Sequence, residues 1–151
     1  MDSGPPEFAA LVSVHPKFAE LILNGRKRVE FRKRRFAESV THVVIYATRP
    51  VQKILGFFEV SAVREDTPSR LWRRYKARGG ISRAVFSEYF REHPLGVAIE
   101  VGRVFTFSSP LPLSGVSASA TAPQSFCYLR GRVVSKLLRQ TDRWSGEELP
   151  G

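Results

Sequence analysis

The stretch from residue 11 to residue 35, LVSVHPKFAELILNGRKRVEFRKRR, constrains the fold more than any other part of the chain. Leu11 to Val14 reads as a short strand that His15-Pro16 breaks, and Pro16 suits the first turn of a helix. Phe18, Leu21 and Ile22 then recur at i, i+3, i+4, the buried stripe of that helix. Asn24-Gly25 stops it, with glycine as the left-handed cap. Val29 and Phe31 next alternate with Arg28, Glu30 and Arg32, which makes a strand with one dry face. Lys27 has the wrong parity to join Glu30 and Arg32 unless it lies in the turn before the strand or at a bulge. Between Arg26 and Arg35 stand seven basic residues and a single acid, Glu30. That carboxylate is either an ion-pair partner or a working group.

The rest of the chain supplies more strands and two further helices. Val43 to Ala47 is a nearly continuous apolar run, as in a central strand, ended by Thr48-Arg49-Pro50. Lys53 to Val63 is a long strand with Gly56 at a bend or bulge. Thr67-Pro68 starts a helix with an apolar side of Leu71, Trp72 and Tyr75 and a basic side of Arg70, Arg73, Arg74, Lys76 and Arg78. Gly79-Gly80 ends it. Ser82 caps a second helix, with Val85, Phe86, Tyr89 and Phe90 on one face. Leu95 to Phe107 is a strand region, Pro110 and Pro112 bracket a turn, and Gln124 to Leu129 is a last strand or ordered end segment. Without regular strand–helix alternation, this pattern predicts an α+β domain of five to six mostly antiparallel strands that curl into a small barrel. Residues 1–9 are expected to form a flexible N-terminus, 10–130 the domain, and 131–151 a C-terminal helix (133–139) and tail. The low-complexity stretch 114–123, SGVSASATAP, reads as a mobile loop.

Charge narrows the partners. The net charge is +10 and arginines outnumber lysines 18 to 6. Guanidinium forks match phosphate and stack on bases, so this is the footprint of a nucleic-acid binder. No apolar run is long enough to span a bilayer, and the N-terminus lacks a secretory pattern, so no membrane association is expected. A lone cysteine, Cys127, fits a reducing compartment and a cytoplasmic location. His15, His42 and His93 are scattered and suggest no metal site, and no cofactor motif is present.

The ordered set Val14-x-Pro16-x-Phe18-Ala19-x-x-Ile22-x-x-Gly25-x-Lys27-x-x-Glu30-x-Arg32, Ile45-Tyr46-Ala47-Thr48-x-Pro50-Val51, Ile54-x-Gly56-x-Phe58 and Pro123-Gln124-Ser125-Phe126-x-Tyr128-Leu129 resembles the ASCH domain family of the PUA-like superfamily. The resemblance spans about residues 10–130. It implies a β-barrel with a cleft beside the first helix, and RNA binding linked to translation or transcription. Some members of the family are enzymes, either ribonucleases or amidohydrolases acting on acetylated cytidine. In the amidohydrolase branch a lysine works beside a threonine and a glutamate. Lys27 keeps the lysine, but Glu30 stands where that branch has threonine, and a carboxylate is a poor substitute for a hydroxyl nucleophile.

Lys27, Glu30 and Arg32 are therefore the leading ligand-binding candidates, with Lys27 and Glu30 as the catalytic pair if the protein is an enzyme. Cations on both sides favour the charged form of Glu30, which suits an acceptor or orienter better than a general base. On spacing alone, an exposed strand ion pair worth under ~1 kcal/mol is the favoured reading, and the resemblance shifts it to the site. Thr48 and Arg49 could face the cleft or simply end a strand. Tyr46 shares the parity of Thr48 and could stack on a base or sit in the core. Ser125 belongs to the closing segment. Glu59 and Glu100, in apolar strands, are further carboxylates to place. The expected partners are RNA or another single-stranded nucleic acid and, by the resemblance, a nucleoside ligand.

Overall fold

A computed structural model describes residues 8–37, 39–116, 122–130, 134, 136 and 137. Much of the expected N-terminus, of the 114–123 loop and of the C-terminal helix and tail lies outside the described residues. The elements run β1 (Phe8–Val14), α1 (Pro16–Leu23), β2 (Val29–Arg32), β3 (His42–Ala47), β4 (Lys53–Asp66), α2 (Pro68–Tyr75), α3 (Arg83–Tyr89), β5 (Gly96–Leu111), a 3-10 turn (Leu113–Gly115) and β6 (Phe126–Arg130). The strands form one sheet in the order β2-β5-β4-β3-β1-β6. All pairs are antiparallel except β1 with β3. That parallel pair needs a crossover, and α1 and β2 supply it.

Local chemistry accounts for the helix ends. The Thr67 and Ser82 hydroxyls accept from the backbone N–H of Arg70 and Val85, so both predicted N-caps hold. Gly25 takes φ 85°, while the N–H groups of Arg26 and Lys27 both donate to the Leu21 carbonyl at 2.9 Å. β5 runs through Pro110 to Leu111, so the turn expected between Pro110 and Pro112 begins only beyond the strand. Pro110 falls between Thr106 and Leu111, where β5 has no register partner on either neighbour, so no ladder N–H is required of it.

The sheet curls because its long strands are irregular. The β4–β5 register shifts between Ile54 and Gly56, between Phe58 and Val60, and between Val60 and Ala62. Gly56 sits where the strands press closest: a Cβ there would lie 2.2 Å from the Phe105 carbonyl oxygen. The result is a half-barrel. β2 and β6 remain the two ends of the strand order, and side chains rather than ladder bonds span the gap between them, as described below.

Three apolar clusters hold the layers together. α1 places Ala19 and Ile22 on Val12, Val14, Ile45 and Ile99. The opposite faces of β1 and β3 pack Leu11 and Val44 with Phe57, Phe107 and Leu129, joined by Val134 and Leu137. β1 is therefore buried on both faces, which explains an apolar run where a one-sided strand would alternate. α2 and α3 put Leu71, Tyr75, Phe86 and Phe90 on Val29, Phe31 and Ala98. That third cluster positions the site, because β2 is clamped between α2–α3 on one side and the end of β1 on the other. Among the described residues no helix is long and apolar enough to cross a membrane.

Candidate functional site

Lys27 enters the interior from the turn between α1 and β2. It is only 1% exposed. Its ammonium donates to the Gly79 carbonyl at 2.5 Å and lies 5.1 and 5.2 Å from the Phe18 and Phe31 ring centroids. The glycine pair after α2 makes room for it. Gly80 has φ 62°, and a Cβ there would fall 2.8 and 2.9 Å from Cβ and Cγ of Lys27. Burial pulls the Lys27 ammonium below the ordinary lysine value of 10.5, and the neighbouring Glu30 carboxylate pulls it back up.

Glu30 points from β2 toward the same space and is 5% exposed. It accepts from Arg32 Nη1 at 3.0 Å. The exposed strand ion pair that the spacing allowed is thus excluded. Arg32 also donates from Nη2 to Ser125 Oγ at 2.7 Å, with longer contacts of 3.4 Å to the Ser13 and Ser125 carbonyls. Its Nε is buried without a partner among the described residues. Ser13 donates its hydroxyl to the Pro123 carbonyl at 2.7 Å. Arg32 therefore ties the ends of β1 and β2 to the segment leading into β6.

Two spaces open on either side of this knot. The first is a cavity of about 240 Å³ with a charged floor of Lys27, Glu30 and Arg32 and walls that include Phe18, Val85 and Tyr89. Burial raises the Tyr89 phenol above its ordinary value, partly offset by Arg32. Lys33 lies 4.6 Å over the Tyr89 ring. The second is an open groove of about 750 Å³ lined by Tyr46, Thr48, Arg49, Gln52, Ser114 and Gln124. Ser13 lines both.

The sequence candidates thus fall into two groups. Lys27, Glu30 and Arg32 come together in the cavity. Tyr46, Thr48 and Arg49 come together in the groove, where Tyr46 is also a core residue at 5% exposure. Ser125 touches Arg32 between the two. Glu59 instead forms a two-point pair with Arg103 at 2.9 and 3.1 Å on the surface, and that hydrogen bonding holds its carboxyl below the usual range. Glu100 accepts from the Tyr75 hydroxyl at 2.6 Å, away from the cavity lining. Burial pushes the Cys127 thiol up, which disfavours its reactive thiolate form. Among the described residues no group of His, Cys, Asp and Glu could hold a metal. Sequence reasoning missed Ser13 and the walls from α3. Ser13 is the one polar side chain in the apolar run of β1, and that was the available signal.

The displaced lysine value predicts a pH effect. Between the lowered folded value and 10.5, the unfolded chain binds the extra proton. Stability conferred at this site therefore rises with pH through that window, and the cost of burying the charge is present in full below it. Urea unfolding at neutral pH and near the upper end of the window should show the native chain gaining on a Lys27→Met variant. A gap that does not change with pH would contradict the buried ammonium.

Comparison with known proteins adds an independent line. The family model described as "ASCH domain" matches residues 12–105. An ASCH domain-containing ribonuclease of Zymomonas mobilis is 30% identical over 148 residues, which cover 92% of this chain and 96% of that protein. The crystal structure of ASCH from Zymomonas mobilis superposes with a TM-score of 0.79 at 30% identity, covering 87% of this chain and 94% of that one. A tyrosine-to-phenylalanine mutant of the same protein gives the same TM-score. The N-terminal domain of Staphylothermus marinus McrB shares the fold alone, with a TM-score of 0.55 at 12% identity.

Proposed function

The chain belongs to the ASCH domain family, and from that premise we propose that it binds single-stranded RNA, with one base seated in the smaller cavity and adjoining phosphates in the wider groove. The observation that carries this reading is the shared wall at Ser13. On one side is a small space with apolar walls and a floor offering a donor, Lys27, beside an acceptor, Glu30. Such a space suits a planar base with polar edges, since unstacked bases are read by stacking and edge hydrogen bonds. On the other side, Arg49, Thr48 and Gln124 offer donors to phosphate oxygens. A net charge of +10 supplies the long-range attraction.

A second reading rests on the relative at 30% identity that is named a ribonuclease. In it, the bound strand is cleaved without metal. The 2′-oxygen attacks the adjacent phosphorus as its proton passes to a base, the bond to the 5′-oxygen breaks, and that oxygen takes up a proton. The products are a 2′,3′-cyclic phosphate and a 5′-hydroxyl. Lys27 suits the role of base because burial favours its neutral amine, while the Gly79 carbonyl holds it by a hydrogen bond and the Glu30 charge opposes the shift.

One experiment addresses both readings. Pure protein is titrated with a mixed pool of RNA oligomers at several salt concentrations in the presence of EDTA, and the RNA is then resolved by size. Affinity that falls steeply as salt rises is the expected result, with cyclic-phosphate ends appearing if the second reading holds. Binding indifferent to salt would remove phosphate recognition from the account.

A further inference from the structure

The cavity and groove leave the most one-sided charge of the molecule unused. From Thr67 to Ser87 the chain contains Arg70, Arg73, Arg74, Lys76, Arg78 and Arg83 and no acidic residue. All six are exposed. Among the described residues their only ion pair is Arg70 with Asp66 at 3.7 Å, between side chains 68% and 34% exposed. A surface that merely needs solvating mixes both signs. This one does not.

Its geometry adds a second observation. Between α2 and α3 lies a groove of about 240 Å³ lined by Pro68, Ser69, Trp72, Arg83, Phe86 and Ser87. The Trp72 indole is half-buried, braced by Phe86 at 5.1 Å between centroids, with the Arg83 guanidinium 5.8 Å over its ring. α3 is the partition. Val85 and Tyr89 line the Lys27 cavity, while Phe86 and Phe90 line this groove. The charge is also continuous with the basic run after α1, because the Arg28 N–H donates to the Arg78 carbonyl at 2.9 Å.

We infer that the α2–α3 face is a second RNA-contact surface, where the exposed arginines take the phosphates of the strand flanking the cavity and a base of that strand stacks on Trp72. The inference rests on the cavity reading for the strand's starting point. Aromatic stacking combined with a cationic track is how single strands are held without regard to sequence. An anionic membrane is the poorer occupant, because the apolar side of α2, Leu71 and Tyr75, is buried against β2 and leaves nothing to insert.

The test compares a tetranucleotide with an oligomer of about twenty nucleotides on the native protein, on Arg73→Gln/Arg74→Gln/Arg83→Gln, and on Trp72→Leu. The native protein should bind the longer RNA at least ten times more tightly. The triple variant should keep its tetranucleotide affinity, lose the gain from length, and show a log–log salt slope for the longer RNA shallower by about two, at roughly 0.7 per phosphate contact. Trp72→Leu, which keeps the apolar packing, should lose affinity for the longer RNA alone. Tetranucleotide binding with no gain from length, or an unchanged slope in the triple variant, overturns this surface and leaves the cavity reading standing. A gain from length that the triple variant abolishes, with no tetranucleotide binding, supports the surface and removes the cavity reading. Variant-sensitive binding to phosphatidylserine vesicles, with none to the longer RNA, overturns it in favour of a membrane.

Discussion

Arg32→Ala is expected to cost the protein about 3–5 kcal/mol, the penalty for leaving a buried charge without its partner. The charge in question is Glu30, whose side chain is 7% exposed against 12% for Arg32. The same change cuts the tie between β2 and the segment before β6, since Arg32 holds Ser125 Oγ at 2.7 Å. In a domain of this size that loss should lower Tm by roughly 10 °C. The diagnostic control is Arg32→Ala/Glu30→Gln. If stranded charge is the main cost, neutralising Glu30 recovers part of the loss, and the double variant is more stable than the single. RNA affinity should stay low in both, because the cavity has lost one of its two cations. Urea unfolding measures the first effect and an RNA titration the second. Costs that simply add would show that Glu30 and Arg32 do not depend on each other.

Removing the Lys27 amine should abolish function with less damage to the fold. Lys27→Ala leaves the Gly79 carbonyl without its donor, at about 1–3 kcal/mol, and opens a void among Phe18 and Phe31. Lys27→Met fills that void and removes the cost of burying an ammonium, while the Gly79 carbonyl still loses its donor. The methionine variant is therefore the informative one. It should melt above Lys27→Ala, because it leaves no void, yet bind RNA at least tenfold more weakly than the native protein, a loss of about 1.4 kcal/mol or more. Any EDTA-resistant turnover of RNA or acetylated cytidine should vanish with it. A folded Lys27→Met protein with native affinity and turnover would take Lys27 out of the site.

What the sequence made legible was what local chemistry decides. Thr67, Ser82 and Gly25 set helix ends through groups within a few residues of themselves, and the apolar runs set β3 and β4. Parity also put Val29 and Phe31 together on one dry face of β2, and that face packs on α2 and α3. It could not show that the other face is covered too. Glu30 shares its cavity with the turn after α1 and the end of β1, and its partner Arg32 reaches Ser125 across 93 residues. The inward course of Lys27 depends on the bare backbone of Gly79 and Gly80, with its hydrogen bond spanning 52 residues. Nothing in the turn itself records that. The separation of Tyr46, Thr48 and Arg49 from Lys27 likewise follows from the curl of the sheet and the bridge at Ser13. The alternation of residues within single strands carries neither.

The pairing of β6 with β1 has a consequence for the newborn polypeptide. A ribosome releases β1 through β5, with every cation of the cavity, before it releases Ser125 and β6. Until then Arg32 has no Ser125 to hold, and β1 lacks its neighbour on that side. A prematurely terminated chain carries the basic residues but not the clasp that orders them. The contact between Arg32 and Ser125 is thus among the last that the emerging chain can make.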